Sequence, residues 1–180
     1  MKNLSKRFFM GSIIASSVGG LLAIVALFLV ATSGGHVDVE ESLWALIPGG
    51  LLGVYGSIVW LVLLHRAWAA IQDGHARTTP SRAVGFLFIP VFNLYWAFQA
   101  FLGFAKDFNS YVERHSLRAD PLPIGLFGAY CLLLVVGALP LPGFFMFLPW
   151  AVVACLQPLL ANKICNAVNV AIDAKRSENP

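Results

Sequence analysis

The sequence predicts an all-α integral membrane protein with four transmembrane helices plus a re-entrant or interfacial aromatic helix. Five transmembrane helices are the alternative. Three observations carry this. Hydrophobic residues make up 58% of the chain and charged residues 12%, whereas about a quarter of a soluble domain is charged; mean hydropathy is +0.76. Several uncharged apolar runs approach or exceed the ~18 residues that read as a spanning helix, without the short alternating segments of a β-barrel. One of these runs, within Val84–Tyr111, is interrupted by Pro90 and Asn93 in a stretch holding ten aromatic residues. The length of 180 residues fits a single helical membrane domain, 1–174, with a short charged tail, 175–180.

Residues 10–32 form the first span, after a basic start with Lys2, Lys6 and Arg7. As a helix this run is about 34 Å long, enough to cross a hydrocarbon core of about 30 Å. A cleavable signal peptide is the rival reading. The run exceeds the usual ~7–15-residue signal core, which favours a retained anchor. Gly11, Ala15, Gly19 and Ala23 recur every fourth residue, a small-residue stripe that admits another helix. The stripe serves either a dimer interface or packing within the chain. After an acidic connection over 33–42, the second span covers 43–65, with Gly49 and Gly53 as its small-residue face and Trp44 at an interface. The helix is expected to continue through Ile71 and stop at Gly74, with Trp68 at headgroup level. Thr79-Pro80 then reads as an N-cap and first-turn proline.

The stretch 84–111 either spans as one helix or turns near Pro90–Asn93 and returns to the side it came from. Two more spans follow, 124–139 and 144–162, separated by the break Pro140-Leu141-Pro142-Gly143. Charge separates the two topologies, because cytoplasmic loops carry excess Lys and Arg. Five crossings divide the twelve basic residues evenly between the two sides. Four crossings with a re-entrant 84–111 put them all inside, with the N- and C-termini cytoplasmic, and this division favours the four-span topology.

Candidate sites are few. No carboxylate falls within an apolar run, and no HExxH, GxSxG, P-loop or GxGxxG pattern occurs. His65, His75 and Asp73 are the best metal candidates, weighed against ordinary solvated loop residues. Cys131, Cys155 and Cys165 read as small buried hydrophobes. No cofactor, metal or catalytic set is expected, and no basic tract suits nucleic acid. The polar candidates are Asn162, Asn166, Asn169 and Asp173, on one face of the last helix. That face either forms a polar vestibule with Asn93 or with Lys106, Asp107 and Asn109, or is simply solvated. Phe92, Tyr95, Trp96, Phe101, Phe104 and Phe108 form either a lipid-level aromatic belt or a docking face.

Phe88-Ile89-Pro90-Val91-Phe92-Asn93-Leu94-Tyr95-Trp96, with Ala83-Val84-Gly85 before it and Ala105-Lys106-Asp107-Phe108-Asn109 after it, resembles a recurrent segment of uncharacterised bacterial multi-pass inner-membrane proteins. Leu160–Ala167 is similar to their C-terminal helix. Some of those proteins carry a GYF-like module, which has no counterpart here, and Val91 stands where a second aromatic is common. The resemblance implies a bacterial inner (cytoplasmic) membrane location and supplies no catalytic residues. The expected function is non-enzymatic: an accessory, scaffold or regulatory subunit acting through helix–helix association. The expected partners are the lipid bilayer and a membrane-protein partner or homo-oligomer. The alternative is a small channel or permease with Asn93, Gln99, Asn162 and Asn166 along a polar path.

Overall fold

The computed structural model describes residues 3–32, 39–140 and 142–178, and every secondary-structure element among them is helical. Lys2, the connection over 33–38 and Leu141 of the second turn lie outside the described residues. The long elements are α1 (Lys6–Thr32), α2 (Val39–Ala70), α6 (Ile124–Gly137) and α7 (Leu148–Glu178). Between α2 and α6 lie α3 (Pro80–Gly85), α4 (Phe92–Ala97) and α5 (Gly103–Arg114). A 3₁₀ turn, Phe86–Phe88, follows α3, and a π-turn, Phe98–Leu102, joins α4 to α5.

Among the described residues, three helices are long and apolar enough to cross a membrane: Lys6–Val30, Leu46–Ala70 and Leu148–Ser177. The fourth expected span, α6, is apolar but has only 14 helical residues, about 21 Å at 1.5 Å per residue.

Cross-helix contacts set the directions. Ser12 meets Tyr55 and Gly19 meets Leu52, so α1 and α2 run antiparallel. Leu4 pairs with Asn169, Ser17 with Gln157 and Phe28 with Phe147, so α7 descends beside α1. Trp150 Nε1 donates to Gly137 O at 3.0 Å and Gln157 lies beside Tyr130, so α6 runs antiparallel to α7. The start of α1 and the ends of α2, α5 and α7 therefore gather at one end of the bundle. Every described Lys and Arg lies toward that end, which we call the basic end. Ser5 caps α1 there, its hydroxyl accepting from Phe8 N–H at 3.4 Å.

Small residues do bring α1 and α2 together, but not along the whole predicted stripe. A Cβ on Gly49 would stand 2.9 Å from Ala23 Cβ and from Gly19 O, and one on Gly56 would collide with Ser16. Gly11 and Ala15 are exposed, and a Cβ on Gly11 or Gly53 would meet nothing within 4 Å. The reason is helical drift. A row of every fourth residue turns about 40° per step, so it leaves the contact after two steps. The face in use is Ser16, Gly19 and Ala23 against Gly49, Leu52 and Gly56, and it is consumed within the chain.

The core is densest at the basic end. Trp68, Tyr111, Phe104, Phe108, Leu160, Ile164 and Val168 are fully buried there. Trp68 is therefore inside the protein rather than at an outer interface, and its Nε1 donates to Ala100 O at 3.0 Å. Trp44 is widely exposed, as expected for an interfacial indole.

Candidate functional site

The residues 80–114 form a hairpin. Thr79 accepts from Arg82 N–H and Pro80 opens α3, so the chain leaves the loop after α2 already helical. It climbs along α2 until Leu87 and Phe88 stand beside Trp60. It then reverses, and the return helix comes back to the loop it left. Trp96 Nε1 donates to Ala83 O at 3.1 Å across the two arms.

Two ion pairs close the base. Asp107 accepts from Arg77 Nε at 2.7 Å and from Arg77 N–H at 2.9 Å, and Nη2 lies 2.6 Å from its Oδ1. Asp73 accepts from Arg114 Nη2 at 2.8 Å and from His75 N–H at 2.9 Å. Burial pushes the Asp73 carboxyl up, but the bonds from Arg114 and His75 with their charges outweigh it, and it sits below its ordinary value of 3.8. Gln72 bridges Trp68 O and Thr78 O, and Lys175 reaches Gln72 O from α7.

The turn is tight. Phe92 N–H donates to Pro90 O at 2.7 Å around Val91, whose φ of 65° and ψ of −48° are those of the rare γ-turn. A β-branched residue is strained there. Val91 is 82% exposed and Tyr95 58%. The Asn93 backbone N–H bonds Ile89 O, while its side chain makes no hydrogen bond with a described residue. The π-turn below widens the helix, and the carbonyls of Ala97 and Ala100 accept bonds from Cys131 Sγ and Trp68.

The aromatic belt needs correction on this geometry. Only Phe92, Tyr95 and, in part, Trp96 face outward. Phe101, Phe104 and Phe108 are core: Phe101 stacks on Trp60 and packs against Tyr130, and Phe104 meets Trp68 edge-on. The signal for this was present. Positions 101, 104, 108 and 111 recur at helical spacing opposite Lys106, Ser110 and Glu113.

The polar candidates also disperse. Asn109 clamps Leu122, accepting from its N–H at 2.7 Å and donating to its carbonyl at 3.0 Å. Asn169 accepts from Leu4 N–H at 2.8 Å, and Asp173 accepts from Asn3 at 3.0 Å. Asn166 and Lys163 line a cleft of about 540 Å³ beside Arg118 and Asp120. Lys106 is exposed, Asn162 is half-buried, and Asn93 lies at the far tip of the hairpin. One vestibule uniting these residues is not formed, because a stripe climbing α7 faces α1 at one level and the 115–123 connection at another. Cys131 and Cys165 are buried, but Cys155 is exposed on α7. His75 lies 3.8 Å from Asp73, whose carboxylate is already engaged by Arg114. Among the described residues no group of three His, Cys, Asp or Glu side chains could hold a metal.

A second feature escaped the sequence. A cavity of about 420 Å³ lies beside the hairpin turn, with Ser16, Ser17, Ser57, Trp60, Tyr130 and Gln157 in its polar lining. These residues come from α1, α2, α6 and α7, and no spacing in the chain links them. Comparison with family models, curated proteins and solved structures found no match.

Proposed function

We propose that this is a non-enzymatic bacterial inner-membrane protein with four crossings and a re-entrant aromatic hairpin, acting as an accessory or regulatory subunit through helix–helix association. One observation carries the reading: the hairpin 80–114 begins and ends at the basic end, held by Arg77–Asp107 and Arg114–Asp73, while its apolar turn stands exposed. A full crossing would part Arg114 from Asp73 by the thickness of a bilayer. With α6 and the turn after it as a crossing pair with α7, all twelve basic residues face the cytoplasm, in line with the positive-inside rule. The resemblance of Phe88–Trp96 to a bacterial inner-membrane segment agrees with this.

The α1–α2 glycine face is occupied within the chain, so the association surface is the hairpin turn: Phe88, Val91 and Tyr95. Cysteine substitution tests the topology. Arg114→Cys and Arg66→Cys are expected to react only from the cytoplasmic side, and labelling of Arg114→Cys from outside overturns the re-entrant hairpin. A photo-crosslinker at Tyr95 is expected to capture one discrete polypeptide or a second copy. Lipid adducts alone, from a protein that stays monomeric in mild detergent, overturn the association. A small permease is the second reading, supported by the polar-lined cavity. Asn93, Gln99, Asn162 and Asn166 do not line that cavity. Solute flux into liposomes that Gly53→Leu leaves unchanged, or no flux, removes it.

A further inference from the structure

We infer that the cavity beside the hairpin turn is a binding site for a neutral, lipid-soluble amphiphile with a hydrogen-bond-accepting head, such as a carbonyl group, and one apolar tail. The volume of about 420 Å³ falls in the ~300–1,000 Å³ range of small-molecule sites. Its wall is apolar apart from a few convergent groups, which is the usual composition of such a site. The depth also fits. Trp60 lies six residues above Arg66 on α2 and Ser17 eleven above Lys6 on α1, so the polar groups sit about 9–16 Å from the basic end.

The head is chosen by what remains unpaired. Trp60 is 8% exposed, and its indole Nε1 is fully enclosed without a hydrogen-bond partner among the described residues. It faces the Tyr130 hydroxyl without reaching bonding geometry. A buried N–H left without an acceptor is costly. No neighbouring oxygen among the described residues reaches it in bonding geometry. Ser16 Oγ donates to Ile13 O at 2.9 Å, Ser57 Oγ donates to Gly53 O at 2.9 Å, Ser17 Oγ lies 3.3 Å from Gln157 Oε1, and Gln157 lies beside Tyr130. The site therefore offers a donor and asks for an acceptor oxygen. No charged side chain among the described residues lines it, so a carboxylate or ammonium head would be buried unpaired at high cost.

The tail has a path. Ile24 lines both this cavity and a wholly apolar one of about 170 Å³ between α1 and α7, walled by Val25, Phe28, Phe147 and Leu148. A chain leaving the head at Trp60 runs along that seam toward the far end of the bundle. The two cavities, which share Ile24, thus present an unpaired hydrogen-bond donor below and a wholly apolar seam above it.

The test uses the full chain in lipid nanodiscs and a diazirine-tailed monoacylglycerol as probe, with the matching diazirine fatty acid as the charged comparison. Labelling is expected on peptides containing Ile24, Phe28 or Phe147, stronger with the neutral probe than with the acid. Gly53 lines the cavity and has open space at its Cβ, so Gly53→Leu is expected to fold and to abolish this labelling. Trp60→Phe keeps the ring and removes the donor. It is expected to weaken labelling about threefold to tenfold, the effect of one hydrogen bond. Labelling spread over the exposed face of α1, equal labelling by the acid, or labelling that Gly53→Leu leaves intact overturns the site. A water on Trp60 with no probe in the cavity overturns it too. Neither Gly53 nor Trp60 belongs to the hairpin turn, so this result is separable from the crosslinking at Tyr95.

Discussion

The two ends of the bundle are built on different rules. At the basic end, large side chains from α2, α5 and α7 are fully buried, and hydrogen bonds tie one element to the next: Trp68 to Ala100, Lys175 to Gln72, Asn109 to Leu122. Toward the other end, Leu22, Leu51 and Val54 are each more than 60% exposed, and α1 meets α2 through glycines and serines. Water punishes an exposed apolar side chain, whereas lipid does not. A chain that must satisfy both solvents hides its apolar groups only where water can reach. In the lipid-facing part it relies on close backbone approach instead.

The sharpest way to break this contrast is at Trp68. Trp68→Ala opens a large void in the sealed end and strips Ala100 of its donor, with an expected loss of about 3–5 kcal/mol. Reversible unfolding in mixed micelles reads it, and a loss under 1 kcal/mol would mean that the basic end is not a packed core. Next comes the α1–α2 contact. Gly56→Leu drives a side chain into Ser16 and is expected to lose about 1–3 kcal/mol. Gly53→Leu, one turn away, is expected to change stability by less than about 0.5 kcal/mol.

Smaller effects sharpen the comparison at the hairpin. Val91→Gly relieves the positive φ and is expected to raise stability by about 1 kcal/mol, in the same assay. The smallest effect is acid-dependent. The folded Asp73 carboxyl is held below its ordinary value of 3.8, so the unfolded chain binds the proton more readily. Its contribution is present above about pH 4 and fades as pH falls through the folded value. Since Arg114 is partly exposed, that contribution is expected to be below about 1 kcal/mol. Asp73→Asn is expected to flatten this acid limb of the stability profile, measured by unfolding from pH 7 to pH 3. An unchanged limb would remove the Asp73–Arg114 clamp from the account.

Much of the helical layout was legible because apolar run length is a direct demand of the bilayer. Residues 10–32, 124–139 and 144–162 coincide closely with α1, α6 and the first half of α7. The second helix runs longer at both ends than 43–65. The Thr79-Pro80 start was legible too, since capping chemistry is local. Lipid erases the contrast that burial normally writes into sequence, so the outward Phe92 and Tyr95 were indistinguishable from the buried Phe101. Below that level Phe104 and Phe108 could have been found, because Lys106 and Glu113 mark the wet face of α5. The cavity was illegible for another reason: Ser16, Trp60, Tyr130 and Gln157 are brought together only by helix packing.

Read locally, the chain specifies an all-helical protein with four or five apolar runs, a break near Pro90 and basic residues confined to the stretches between those runs. Hydropathy, proline and charge act on the chain locally, and each is readable where it stands. Helix packing settles which small residues touch, which aromatics are core, and that Arg77 and Arg114 close one base. Those outcomes depend on the rotation and register of each helix against its neighbours, and in an apolar medium nearly every rotation looks the same to the sequence.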